Sequence, residues 1–147
     1  MSRLTHILLY ITLIAVSLYS CDIESSDNGD LDGYWQWTSV DTLATGGTED
    51  MRSSKIFWAV QADLLEIRDN TKTHYNVFFR FSHTADSLIL SEPVIDNRES
   101  NDSILEDYSI LLSYGITEIP AAFYVSHLSG SKMVLYSSNY CLSFRKY

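Results

Sequence analysis

The sequence is poor in the residues that announce a special scaffold or a local chemistry. It holds two prolines, two cysteines, four histidines and six glycines in 147 residues. A collagen-like or low-complexity chain is thereby excluded, and 46% apolar with only 20% charged residues excludes a disordered one. Basic residues are scarce as well, 10 against 19 acidic ones. A net charge of -9 provides no basic stripe to neutralise phosphates, so nucleic acid is not a partner to expect. No H-E-x-x-H or C-x-x-C pairing exists, and His74, His83 and His127 fall on separate elements, so no metal is expected. Phosphate-binding glycine loops, the G-x-S-x-G elbow and the dinucleotide fingerprint are all missing. His83 and Asp86 flank a turn, where paired polar residues are far commoner than catalytic dyads. No catalytic residue and no cofactor is expected, and an enzyme would need a site assembled in space.

What is present begins with an export signal. Arg3 supplies a positive start, Ile7 to Leu18 form an apolar stretch broken only by Thr12 and Ser17, and polarity returns at Asp22, Glu24 and Asp27. A membrane-spanning helix needs about 20 apolar residues, so residues 1–20 read as a signal peptide. Leu18-Tyr19-Ser20-Cys21 resembles a bacterial lipobox, which implies lipidation of Cys21 and a durable anchor, because several acyl chains on one residue exceed the two-anchor threshold. Cys141 would then be left without an intrachain partner, a small packed side chain rather than a nucleophile. Residues 21–32 read as the lipidated cysteine followed by an acidic, self-repelling tether.

Residues 33–147 form one domain of short, aromatic and β-branched runs. Strands are expected at 34–41, 55–61, 64–69, 74–83, 87–94, 122–127, 132–137 and 140–146. Alternation is clearest from His74 to His83, with Tyr75, Val77, Phe79 and Phe81 on one face. The same period turns Trp35 with Trp37, Leu88 with Leu90, and Leu142 with Phe144 inward, and Trp58 lies in a continuous apolar run assigned to strand. Gly46-Gly47, Asp69-Asn70, Ser129-Gly130 and Ser138-Asn139 supply turns. Eight antiparallel neighbours can close into a barrel without exposed edges. One helix is expected before the last three strands: Ser103-Ile104-Leu105-Glu106 matches a capping box, Ile104, Leu105, Tyr108, Leu111 and Leu112 form a stripe, and Gly115 ends it.

Gly33-Tyr34-Trp35 in the first strand and Arg145 in the last are similar to the G-x-W motif of lipocalins and the arginine stacked across its tryptophan. With the lipobox, the tether and the mid-chain helix, the chain from Cys21 to Tyr147 resembles the lipocalin-like lipoproteins of unknown function from Bacteroidetes-type bacteria. The resemblance implies an eight-stranded antiparallel up-and-down barrel on the outer membrane, facing the periplasm or the cell surface. An acidic segment after the lipid cysteine is similar to the signals that carry such lipoproteins to the outside. Asp41-Thr42-Leu43, Asp86-Ser87-Leu88 and Asp102-Ser103-Ile104 are similar to the O-glycosylation acceptors of such bacteria, the third competing with the capping role of Ser103.

The inward set, Trp35, Trp37, Trp58, Tyr75, Val77, Phe79, Phe81, Leu88, Leu90, Leu142 and Phe144, has two destinies: a filled core, or the lining of a cavity for a small apolar or amphipathic ligand. Phe78, Tyr124 and Tyr136 face outward, where they could stack on a sugar or a partner protein. The expected function is accordingly non-enzymatic ligand binding by an anchored barrel, with a solid accessory or interaction protein at the cell surface as the alternative.

Overall fold

The computed structural model describes residues 26–97 and 103–147. The segment read as a signal peptide and the expected lipidation site, Cys21, lie outside the described residues, as does Asp102. Ten strands are present among the described residues: β1 (Gly33–Thr42), β2 (Gly47–Asp50), β3 (Ile56–Gln61), β4 (Leu64–Asp69), β5 (Val77–His83), β6 (Ser87–Ile95), β7 (Ser103–Ile104), β8 (Ala121–Leu128), β9 (Lys132–Tyr136) and β10 (Tyr140–Lys146). Eight of them close a barrel in the order β1-β3-β4-β5-β6-β8-β9-β10, every pair antiparallel, with β10 returning to β1. Two short strands dock on this wall, β2 along the second half of β1 and β7 along the end of β6. They carry main-chain pairing on where the neighbouring barrel strand has diverged.

The core is the inward face that the period of two selects. Trp35, Trp37, Trp58, Val77, Phe79, Leu88, Leu90, Leu142 and Phe144 are each 3% exposed or less. Trp58 meets Phe123 and Phe144 across the interior, with ring centroids 5.8 Å and 4.8 Å apart. Phe81, beyond the point where a β-bulge in β6 shifts the register with β5, is only partly buried against this cluster. The continuous apolar run in β3 has a separate cause. Phe57 points away from the barrel interior, yet it is buried by a parallel stack with Tyr34 at 4.6 Å and the edge of Tyr147 at 5.3 Å. Both faces of β3 are covered there, which removes the polar alternation.

Three expectations are corrected. Tyr75 is not an inward strand residue. β5 begins at Val77, and Tyr75 sits in the preceding loop with 62% of its surface exposed. The helix does not start at a Ser103 cap either. Ser103 pairs with Ile95 in β7, and Asp107 provides the cap by accepting the Ser109 N–H at 2.9 Å. The helix is a 3₁₀ segment, Tyr108–Tyr114, closed by Gly115 at φ 73°. Its tighter winding buries Leu111 and Tyr114, three residues apart, and leaves Tyr108 and Leu112 exposed. Finally, the described part of the acidic segment, residues 26–32, packs against the barrel. Asp32 accepts from the Ser26 hydroxyl at 2.5 Å and the Asn28 amide at 2.7 Å, Ser26 and Asn28 bond Ala62, and Leu31 is 1% exposed. One buried leucine and a carboxylate that accepts three hydrogen bonds make residues 26–32 a plug rather than a tether.

Candidate functional site

The barrel has two unlike ends. At the end where β1 begins, Leu31 and Trp35 close the interior, and the Trp35 indole N–H donates to the Leu31 carbonyl at 2.8 Å. Lys146, not Arg145, lies over the Trp35 ring, with Nζ 4.6 Å from the centroid. The register explains the exchange. Lys146 is the cross-strand partner of Trp35, whereas Arg145 is opposite Gln36 on the other face and donates to Gln36 Oε1 at 2.8 Å. Gly33 serves this arrangement directly, because a Cβ there would lie 3.2 Å from Lys146 Cε and its φ of 124° suits no side chain.

The opposite end is open and polar. It is built on Asp69, the last residue of β4, whose side chain is 1% exposed. Its carboxylate accepts from Thr71 N–H at 2.7 Å, Thr71 Oγ1 at 2.6 Å, His74 N–H at 2.9 Å and His74 Nδ1 at 2.9 Å. Burial pushes the Asp69 carboxyl up, and the bonds from Thr71 and His74 outweigh it and hold the group below the usual carboxylate range. Four bonds exhaust the acceptor sites of a carboxylate. Asp69 therefore folds the loop and orients His74, leaving Nε2 as the ring nitrogen directed away from it. Asn76 fixes the other side of the turn by accepting the Asp69 N–H at 3.0 Å.

Tyr114 locks the same loop from the helix. Its hydroxyl donates to the Tyr75 carbonyl at 2.6 Å, and its ring stands edge-on to His74 at 5.9 Å. Burial, with the nearby Asp69 charge, pushes the Tyr114 hydroxyl above the ordinary tyrosine range, so it stays a donor. Two clefts flank this structure and share His74 and Tyr75. One, of about 580 Å³, is polar and bounded by Arg68, Asn70, Lys72, Asn76, Asp96 and Asn97. The other, of about 320 Å³, lies against Ile110, Ser113 and Tyr114 of the helix.

Of the candidates for ligand lining or core, Tyr75 alone borders these two clefts. The others are in the wall and core already described. Asp86 accepts from the Thr84 hydroxyl at 3.1 Å, while His83 Nε2 is buried without a hydrogen-bond partner, as is the Trp58 indole nitrogen. Cys141 is free and buried in β10. Among the described residues, no group of three or more His, Cys, Asp or Glu side chains is placed to hold a metal, and no helix is long and apolar enough to cross a membrane. Sequence reasoning missed Asp69 and His74 as a pair. The signal available was Asp69-Asn70 followed by Thr71, Thr73 and His74, which reads as a turn until the carboxylate is seen to be buried.

The fold agrees with that of a lipocalin-like protein from Bacteroides uniformis, 23% identical, with a TM-score of 0.61 over 81% of this chain and 100% of the other. An uncharacterised protein from Bacteroides eggerthii is 18% identical, with a TM-score of 0.57 over 79% of this chain and 98% of the other. No curated protein matches the chain. The lipocalin-like domain family matches residues 14–147, so the chain, with its eight-stranded closed barrel, belongs to the lipocalin-like domain family.

Proposed function

We propose that this protein is an exported lipoprotein, acylated on Cys21 and held in the outer membrane on its periplasmic or cell-surface side. Its barrel binds a small apolar or amphipathic molecule without transforming it. The supporting observation is the open end, where a polar and a more apolar cleft meet at His74 and Tyr75 and are held in shape by the saturated Asp69 carboxylate. Such a pre-formed concave site with convergent polar groups suits a ligand with a polar head and an apolar body.

A second reading draws on the interior. The inward rings meet one another, and Tyr124 and Tyr136 are exposed opposite each other across β8 and β9. A solid barrel of that kind would serve as an accessory or interaction protein at the surface. Native mass spectrometry of the protein purified from its own cells separates the two. An extra mass released on unfolding supports the ligand, and the bare acylated mass supports the solid barrel. Fractionation of Cys21→Ala tests the anchor: the variant is expected in the soluble fraction, and retention with membranes would refute lipidation.

A further inference from the structure

We infer that the polar cleft at the open end takes a carbohydrate, a neutral sugar of one or two rings. This rests on the reading of the open end as the binding site and names the class of the ligand's polar head, the adjoining cleft against Ile110 and Tyr114 being left for the apolar body. The volume of about 580 Å³ lies in the range of small-molecule sites, roughly 300 to 1,000 Å³. The chemistry of the lining is what selects a sugar. Asn70, Asn76 and Asn97 present amides, the side chains that both donate and accept, and a sugar hydroxyl also does both. Asn76 has its carbonyl oxygen committed to the Asp69 N–H, so its NH₂ is oriented and supplies donors. His74 has its Nδ1 committed to Asp69, which leaves Nε2.

Charge in the cleft does not favour an ion. Arg68 is held by Glu66, with Nη2 to Oε2 at 2.6 Å, and Lys72 shares the lining with Asp69 and Asp96. Opposite signs in balance suit a neutral polyol. The remaining requirement is a flat apolar surface for the C–H face of a sugar ring, and Tyr75 meets it. The residue is 62% exposed, while its backbone is pinned through the carbonyl by Tyr114. Little backbone ordering is left for binding to impose.

The test is isothermal titration of the full chain in detergent micelles with four probes: cellobiose, maltose, N,N′-diacetylchitobiose and laurate. At least one disaccharide is expected to bind, and Tyr75→Ala and Asn76→Ala are each expected to weaken it about tenfold, the scale of a lost ring stack or hydrogen-bond pair. Tyr75 is exposed, so the thermal midpoint of Tyr75→Ala verifies that its fold is intact. Disaccharide binding unchanged in both variants would overturn the inference. Laurate binding lost in Tyr75→Ala, with no sugar bound, would overturn the sugar and keep the open-end site. No binding of any probe would count against both.

Discussion

The two ends of the barrel solve the same problem, covering an apolar interior, with opposite means. At the closed end the cover is side chain on side chain. Trp35 plugs the interior, Lys146 lies over it and donates to the Asp30 carbonyl at 2.8 Å, and Tyr147 donates its N–H to the Tyr34 carbonyl at 2.8 Å. At the open end the cover is a loop held by one buried carboxylate and one buried phenol. At the closed end Leu31, Trp35 and Lys146 are consumed by their own packing. At the open end the loop satisfies itself through Asp69 and Tyr114, and His74, Tyr75 and the amides remain turned to solvent. A site needs rigid support and spare valences together, and the open end has both.

The contrast can be broken most strongly from the closed side. Trp35→Ala is expected to cost about 3 to 5 kcal/mol in urea unfolding, because it empties a fully buried aromatic site. Tyr75→Ala at the open end should cost less than about 0.5 kcal/mol, as an exposed position does. Equal losses at the two would refute the division between core and site.

Asp69→Ala strands the four donors of Thr71 and His74, at about 1 to 3 kcal/mol. The contribution has a pH signature. Asp69 has a lowered folded pKa, so its stabilisation is complete above the ordinary value of 3.8 and is lost as pH falls through the lowered one. Wild type and variant should therefore converge in stability in strong acid, which unfolding curves across that range can check.

Tyr114→Phe removes one hydrogen bond, for about 0.5 to 1.5 kcal/mol. Its phenol is raised above 10.0 in the fold, so an unfolded tyrosine ionises first and the stability is lost as pH climbs past that value. The wild type should show a steeper alkaline decline than Tyr114→Phe. The smallest effect sharpens the closed end. Lys146→Met should cost about 0.5 to 1 kcal/mol from the cation over Trp35, and Arg145→Met should leave the near-ultraviolet dichroism of Trp35 unchanged. A tryptophan signal that responds to Arg145 instead would reverse the assignment of the covering cation.

Much of the wall was legible because a strand shows its buried face at every second residue. Val77 and Phe79 in β5, or Leu142 and Phe144 in β10, need no partner to declare their side. The helix was less legible. Its capping box at Ser103 is a local preference, and pairing with β6 overrode it. The site was least legible, since Asp69, Asn76 and Tyr114 come from β4, a loop and a helix, and their bonds are not a function of spacing.

The sequence by itself determined a mainly β domain of eight barrel strands with the helix before the last three, since alternation and turn residues are local properties. It also determined that Trp35, Val77, Phe79 and Phe144 would face inward, leaving open whether they fill a core or line a cavity. Only the tertiary structure decided which cation covers Trp35, because a one-residue change of register moves a side chain to the other face. It alone turned Tyr75 outward and made Asp69 an anchor, because burying a carboxylate requires donors that the closed barrel and its loop bring together.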